Sequence, residues 1–268
     1  MASKQRIDIV LVKEGYFHSR EQAKRAIMAG LISDEHGIID KPGALISDIS
    51  RLHVKGNVMP YVSRGGLKLE RAIAVFNLSV QDVIMADIGS STGGFTDCAL
   101  QKGAKLVYAI DVGTNQLVWK LRNDERVIVK EKTNFRYATK ELFERGLPNF
   151  ITIDVSFISL FHIFTPLSSI VPSKTPVVAL IKPQFEAGKE QVGKHGIIKD
   201  PKVHKNVLEK VRNFARELSF YMEQVTYSPI TGGKGNIEFL ALFVKDGEDH
   251  NCNIDDLVEE ASRALKGR

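Results

Sequence analysis

The hydrophobic pattern of the chain changes near residue 60. Before that point the apolar positions form short groups. Residues 6–14 repeat apolar side chains at helical spacing until Gly15, and this spacing predicts a first helix. Ser19 followed by Gln22 has the form of a capping box, so a second helix is expected to begin there and to continue to Gly30.

A small sheet is predicted after these two helices. Apolar residues at 31–32 and 37–39 flank the polar tip 34–36, which is typical of a hairpin, and residues 52–54 form another short apolar segment. Two helices and a small sheet within about 55 residues are enough to fold as a marginal unit. The sequence therefore predicts a separate N-terminal domain over residues 1–60, followed by a larger domain over residues 61–268.

The larger domain alternates strand and helix patterns. Because short apolar strands separated by helices are buried on both faces, the pattern predicts an α/β fold with a doubly wound, mostly parallel, seven-stranded sheet. The final two strands are joined by residues 228–235 without a helix, so we expect the last strand to be antiparallel. The predicted strands are 83–88, 106–112, 127–129, 150–155, 177–181, 221–225 and 237–244, and the predicted helices are 63–76, 92–101, 115–121, 160–170, 201–218 and 254–265.

Composition narrows the class of protein. The 268 residues are 43% hydrophobic and 26% charged, with a net charge of +5. A chain of this kind can bury a core, and its mild positive charge is compatible with a polyanionic partner. The two cysteines exclude a disulfide scaffold and a four-cysteine zinc site, and no apolar run is long enough to span a bilayer. We therefore expect a cytoplasmic protein without a metal site or a membrane partner.

A glycine-rich loop follows the first strand of the larger domain. Residues 89–97 read GSSTGGFTD, which places backbone N–H groups and a helix N-terminus at the carboxyl edge of the sheet. The loop lacks the lysine of a P-loop, and Ser91 replaces the second glycine of the dinucleotide fingerprint. Asp111, after the next strand, suits the hydroxyls of a ribose. Together with Asp87 these features favour S-adenosylmethionine over NAD, while a plain tight turn remains the alternative.

Four charged residues stand beside apolar segments. Asp154 and Lys182 each follow an apolar strand pattern, Glu238 begins one, and Lys68 lies in a helical pattern. Because ligands bind at the carboxyl edge of such sheets, we expect the first three to converge there. Two lysines and two acids balance in charge, as a partly desolvated site requires. The alternative is a pair of structural salt bridges.

This tetrad, in this order around the glycine-rich loop, resembles the Lys-Asp-Lys-Glu tetrad of FtsJ-like 2′-O-ribose methyltransferases. Within that group the chain is very similar to the TlyA family, which is also called hemolysin A. The matching segments are YVSRGGLKLE at 61–70, IDVSFISL at 153–160 and LIKPQFE at 180–186. The first 55 or so residues resemble the alpha-L RNA-binding module. Ser90-Ser91-Thr92 departs from the Ala-Pro loop of the wider superfamily.

The resemblance implies methyl transfer from S-adenosylmethionine to a ribose 2′-hydroxyl of ribosomal RNA, within ribosomal subunits or ribosomes. Lys182 is the candidate for the proton acceptor and Lys68 is the alternative that the sequence leaves open, while Glu238 and Asp154 would position the lysines and the substrate. A lysine serves as a base only when burial or a second cation lowers its pKa. The expected cofactor-binding residues are Asp87, Gly89, Ser90, Ser91, Thr92, Gly93, Gly94, Phe95, Asp111, Val112 and Asn134, with Asp87 and the loop around the methionine end.

RNA is expected to contact basic residues of both domains. The candidates are Arg6, Arg20, Lys24, Arg25 and Arg64. Residues 184–200 are expected to form a mobile lid that contacts phosphates, and a plain flexible surface loop is the alternative. Two other functions stay open at this point. One is a non-catalytic RNA-binding factor for ribosome assembly, and the other is a cytolysin, as the hemolysin name suggests.

Overall fold

The computed structural model describes residues 4–14, 16–17, 19–46, 52–55, 59–250 and 252–265. The chain divides into two compact units, Met1–Val62 and Ser63–Arg268. Gly15, the predicted end of the first helix, lies outside the described residues. Within the described ranges, no helix combines the length and the apolar character needed to cross a membrane.

The first unit holds the two predicted helices and the predicted hairpin. Ser19 Oγ accepts a hydrogen bond of 3.2 Å from the Gln22 N–H at the start of the second helix. The hairpin and the segment at 52–54 form a three-stranded antiparallel sheet, and a two-residue antiparallel pairing of residues 5–6 with 45–46 was not predicted. The elements are β1 (Gln5–Arg6), α1 (Ile7–Lys13), α2 (Arg20–Met28), β2 (Ile32–Asp34), β3 (Gly37–Ile38), β4 (Leu45–Ile46) and β5 (His53–Val54).

The second unit confirms the predicted alternation of strands and helices. Its strands are β6 (Ile84–Ile88), β7 (Leu106–Ile110), β8 (Val127–Lys130), β9 (Phe150–Ile153), β10 (Pro176–Ile181), β11 (Phe220–Tyr227) and β12 (Phe239–Lys245). Its helices are α3 (Gly65–Val75), α4 (Gly94–Gln101), α5 (Trp119–Arg122), α6 (Phe161–Ile170), α7 (Pro183–Glu186), α8 (Pro201–Glu217) and α9 (Ile254–Leu265).

In the described part of the chain these seven strands form one sheet in the order β11-β12-β10-β9-β6-β7-β8. Strands β6 to β10 pair in parallel, whereas β12 is antiparallel to both β10 and β11, as predicted. The carboxyl ends of β6, β7, β9 and β10 therefore meet the amino end of β12 at a single edge. Asp154, Lys182 and Glu238, the charged residues predicted to converge, lie at this edge.

Burial of both faces explains why the strands read as continuous apolar runs. On one face, alternate residues of four strands share a core with side chains of α6, α8 and α9; these strand residues include Ala86, Ile88, Tyr108, Ile110, Ile151, Ile153, Ala179 and Ile181. The residues between them, such as Met85, Val107 and Val178, are also fully buried. This double burial is the property of a doubly wound sheet.

Three predicted elements differ from the observed ones. The helix predicted over 115–121 is only α5, because Asn115 adopts a left-handed φ of 56° that a helix cannot continue. Strand β7, predicted to extend to residue 112, ends at Ile110, so Asp111 and Val112 lie beyond it. The segment predicted as a loop from 184 begins with α7, where Pro183 occupies the first turn that proline tolerates.

Core packing around α6 gives a direct stability prediction. Phe164 is fully buried, with ring centroids 4.9 Å from Phe220 and 5.0 Å from Phe243. Phe164→Ala should lower the free energy of unfolding by about 3–5 kcal/mol, because it removes these contacts and leaves a cavity.

The control for this prediction lies one turn earlier in the same helix. Phe161 is 41% exposed, so Phe161→Ala should cost no more than about 1 kcal/mol. Urea unfolding of the full chain, followed by circular dichroism, compares the two. Equal losses for both variants would contradict the packing described here.

Candidate active site

The glycine-rich loop packs directly on the segment that carries Asp154. Gly89 has a left-handed φ of 86°, and a Cβ added there would lie 2.4 Å from the Asp154 carbonyl oxygen. The Asp154 N–H donates to the Ile88 carbonyl at 2.9 Å. Only glycine satisfies both the backbone conformation and this close approach. The loop after β6 and the connection after β9 therefore form one rigid part of the sheet edge.

Asp87 lies beneath this loop and not in the cavity described below. Its carboxylate is fully buried and accepts hydrogen bonds from the hydroxyls of Thr96 at 2.7 Å and Thr152 at 3.0 Å. Thr152 is its register partner on β9, so the contact follows from the parallel pairing. Burial raises the pKa of Asp87 to about 6, and the two threonine bonds oppose that rise. In this position Asp87 joins β6, α4 and β9.

The first lysine–carboxylate pair stands at the ends of neighbouring strands. Lys182 follows β10 and Asp154 follows β9, and Lys182 Nζ lies 2.6 Å from Asp154 Oδ1. The same Nζ donates a 2.9 Å hydrogen bond to Ser156 Oγ. Lys182 is buried, whereas Asp154 is partly exposed. The pair therefore keeps an opening toward solvent.

The second pair joins α3 to the start of β12. Lys68 Nζ donates to Glu238 Oε2 at 2.7 Å, and both side chains are buried. A Cβ at Gly232 would lie 1.9 Å from Glu238 Oε1, so the carboxylate fills the space that a side chain there would need. Removing one partner of such a pair would leave a buried charge uncompensated.

All four charged residues line one cavity of about 630 Å³ at the carboxyl edge of the sheet. The loop contributes Gly89, Ser90, Ser91, Thr92, Gly94 and Phe95 to the same cavity, and Arg64 lies at its wall. The structure thus brings the tetrad and most of the predicted loop residues together. Gly93 is buried behind the cavity at the start of α4, with a left-handed φ of 96°.

Sequence reasoning missed several residues of this cavity. They are Ser156, Phe157, Lys234 and Asn236, whereas Gln184, Phe185 and His195 belong to the segment 184–200 that was predicted as a lid. Ser156 and Phe157 stand two and three positions after Asp154, so proximity to the tetrad was a usable signal. Phe157 is 90% exposed at a left-handed φ of 64°, and its ring lies 4.9 Å from that of Phe185. A bulky exposed residue in this strained conformation is common at binding sites.

Glu186 anchors the segment after β9, which carries Ser156 and Phe157. Its carboxylate accepts 2.7 Å hydrogen bonds from the Leu160 N–H and from Ser159 Oγ, just before α6. Burial raises the pKa of Glu186, and these bonds oppose the rise. The residues after β9 are thereby fastened to α7, which directly follows Lys182.

Besides Asp87 and Gly93, three more predicted cofactor residues lie outside the cavity lining. The Asp111 carboxylate accepts 2.8 Å hydrogen bonds from the N–H groups of Ser91 and Gly113, so it adjoins the back of the loop. Val112 is 69% exposed beside it. The Asn134 side chain accepts from the Arg136 N–H at 3.2 Å and caps a short turn of helix. Ser91 therefore borders the cavity on one side and Asp111 on the other.

In the first unit, three of the basic residues predicted to bind RNA form ion pairs with acidic side chains. Buried Asp8 accepts from Arg6 Nε at 3.0 Å and from Arg20 Nη2 at 2.8 Å. The Arg6 bond is the main reason that the pKa of Asp8 falls to about 2. Lys24 pairs with Glu21 at 2.8 Å, while Arg25 is exposed. Asp8 thus fixes the two guanidinium groups side by side.

Comparison with known proteins decides the family. The model of the FtsJ-like methyltransferase family matches residues 61–245, which include the loop and all four tetrad residues. The chain belongs to the FtsJ-like methyltransferase family. The enzyme class and the family predicted from the sequence are therefore confirmed.

Relatives of this methyltransferase align along almost its whole length. YqxC of Bacillus subtilis (strain 168), named as a candidate rRNA methyltransferase, is 54% identical over 99% of this chain and 96% of that protein. TlyA of Mycobacterium tuberculosis (strain ATCC 25618 / H37Rv), named as a 16S/23S rRNA (cytidine-2′-O)-methyltransferase, is 38% identical over 99% and 98%. A solved structure from Streptococcus thermophilus, named as a candidate hemolysin, has a TM-score of 0.76 and 52% identity over 99% and 98%.

The buried Asp87 carboxyl of the methyltransferase gives a pH prediction. Its pKa of about 6 lies above the ordinary value of 3.8, so the folded state holds the proton more tightly than the unfolded state. Stability contributed by this group is therefore present below pH 4 and is lost as the pH rises through 6. The loss amounts to about 3 kcal/mol at about 1.4 kcal/mol per pKa unit.

Asp87→Asn isolates this effect because it replaces the titratable carboxyl group with a neutral amide. The free energy of unfolding of both proteins is measured by urea unfolding from pH 4 to pH 7. As the pH rises, the wild type should lose stability relative to the variant. A difference that stays constant across this range would contradict the raised pKa.

Proposed function

We propose that the chain transfers a methyl group from S-adenosylmethionine to a ribose 2′-hydroxyl of ribosomal RNA. The observation that carries this proposal is the convergence of two lysine–carboxylate pairs on one cavity beside the glycine-rich loop. A ribose hydroxyl is only weakly acidic. Its methylation needs a base and fixed charges beside the methyl donor, and this cavity offers both.

The residues around the loop fit S-adenosylmethionine. Each Asp111 oxygen accepts one backbone N–H, which leaves lone pairs for the hydroxyls of a ribose. Asp111 would hold the ribose, exposed Val112 would border the adenine with Asn134, and Ser90 to Thr92 would surround the methionine end. Asp87 supports the loop from below in this arrangement. When bound, S-adenosylmethionine supplies a methyl group that its sulfonium centre already activates for displacement.

Lys182 is the proposed proton acceptor. Lys182 accepts this proton as the neutral amine, so it first releases its own proton to solvent through the opening beside Asp154. The ammonium that forms on proton transfer is then held by Asp154 at 2.6 Å and Ser156 at 2.9 Å. The Lys68–Glu238 pair adds a second fixed ammonium to the cavity, which attracts the developing negative charge on the hydroxyl oxygen. Neither lysine has to move out of solvent during the reaction, since both are already buried.

The first unit is the proposed RNA-binding domain. Arg6 and Arg20, fixed by Asp8, present two guanidinium groups, and Lys24 and Arg25 lie on the same helix as Arg20. Such a surface binds folded RNA through phosphates and shape. The names of YqxC, a candidate rRNA methyltransferase, and of TlyA, a 16S/23S rRNA (cytidine-2′-O)-methyltransferase, support ribosomal RNA as the partner.

The two alternative functions have less support. A non-catalytic assembly factor would not need both lysines buried against carboxylates at the ligand-binding edge of the sheet. The hemolysin name of one solved relative is a label, and no residue of the cavity accounts for a lytic activity.

Substitution of the proposed base tests the reaction. Lys182→Ala should lower methyl transfer from labelled S-adenosylmethionine to ribosomal subunits by roughly 10²- to 10⁴-fold, because the hydroxyl loses its proton acceptor. The product is checked by alkaline hydrolysis, since a methylated 2′-hydroxyl cannot attack the neighbouring phosphodiester.

A matched control is Lys174→Ala at the other end of β10. Lys174 is an exposed lysine that precedes the strand, so its loss should leave the transfer rate unchanged. Equal rates for Lys182→Ala and wild type would overturn the proposed role. Absence of transfer by the wild type to every subunit and to intact ribosomes would overturn the proposed function.

Substitution of Asp111 tests the cofactor site separately. Asp111→Ala should raise the dissociation constant for S-adenosylmethionine by roughly 10- to 100-fold, because hydrogen bonds to a charged acceptor are lost. Isothermal titration calorimetry measures this without RNA. Asp124→Ala is the control, since Asp124 also accepts the N–H two residues ahead but lies before β8, at the amino edge of the sheet. The same weakening in both variants would contradict a ribose contact at Asp111.

A further inference from the structure

The cavity carries more positive charge than its two lysine–carboxylate pairs neutralise. Arg64, His195 and Lys234 also line it, and none of them has an ion-pair partner among the side chains that the structure describes. Arg64 and Lys234 alone leave two positive charges uncompensated. All three side chains are exposed at the cavity. Methyl transfer alone does not require this additional positive charge.

His195 and Lys234 are held in the same unusual backbone conformation. Their φ angles are 68° and 61°, in the left-handed region that residues with a side chain rarely adopt. Each is the middle residue of a three-residue turn, Lys194–Gly196 or Gly233–Gly235, and each is followed by a glycine that also has a positive φ. Two matching turns therefore present basic side chains to one cavity.

One buried side chain joins the two turns. Asn236 is 3% exposed, and its Nδ2 donates to the carbonyls of Gly196 at 2.8 Å and Gly233 at 3.4 Å. Its Oδ1 accepts the Ile198 N–H at 3.0 Å. These bonds link residues 196–198 to the connection before β12. The positions of His195 and Lys234 are thereby set relative to each other.

We propose that Arg64, His195 and Lys234 form a binding site for the phosphodiester groups that flank the target ribose. This inference rests on the proposed function. In RNA the 2′-hydroxyl lies next to the 3′-phosphodiester, so any strand that places the hydroxyl at Lys182 brings an anion into the same cavity. Beside Gly233, which lines the cavity, no heavy atom lies within 4 Å of an added Cβ, which leaves room for a backbone phosphate. Phosphate contacts of this kind position the strand without reading its sequence.

The salt dependence of RNA binding tests this site. The ligand is ribosomal subunits from a strain that lacks the gene, and the slope of log Kd against log salt is measured for the full chain. Lys234→Ala and Arg64→Ala should each reduce that slope by roughly 0.7–0.9, the value for one lost phosphate contact. Each should also raise KM for the subunits more than it lowers kcat, and Lys234→Arg should restore the slope.

The control is again Lys174→Ala, which removes the same charge from an exposed residue with a matching φ of 64°. It should keep the wild-type slope. Binding by the wild type with an unchanged slope in both the Lys234→Ala and Arg64→Ala variants would overturn the phosphate site and leave the proposed function standing. No binding of subunits by the wild type would overturn both. Unchanged affinity for S-adenosylmethionine in each variant shows that the fold is intact.

Discussion

The site depends on the neutralisation of two buried lysines by two carboxylates at one edge of a parallel sheet. An isolated ammonium at that depth would be strongly disfavoured, and each of these stands less than 3 Å from an acid. The sheet order makes this possible. Adjacent strands β9 and β10 bring Asp154 to Lys182, while antiparallel β12 returns Glu238 to the same edge, beside Lys68 of α3. The topology of the sheet thus holds these four charges in place before any ligand binds.

Small residues at this edge serve close approach as well as turning. Gly89 allows the loop to rest on the Asp154 carbonyl, and Gly232 leaves the space that the Glu238 carboxylate fills. Beneath the loop, Asp87 ties two strands and a helix through threonine hydroxyls. The loop therefore has a polar support below, the proposed cofactor on one side of Ser91 and the proposed substrate cavity on the other.

Much of this arrangement was predictable from the sequence. Strands read as apolar runs because both faces of the sheet are buried, and charged residues at the ends of such runs marked three members of the tetrad. The partner of each lysine was not predictable, since it depends on which elements become neighbours in space. The strand pattern does not reveal that Asp87 pairs with Thr152, its register partner on β9, so its support of the loop from below was not predicted. The shared role of Asn236 was hidden for the same reason, because its partners lie up to 40 residues away.

The most direct test of the central claim maps 2′-O-methyl groups in ribosomal RNA from cells with and without the gene. Methylation of ribosomal RNA by this chain predicts that one or more methylated positions disappear on deletion. They should return with the wild-type gene and stay absent with the Lys182→Ala variant at equal protein level. An identical methylation map in the deletion strain, or full restoration by Lys182→Ala, would contradict it.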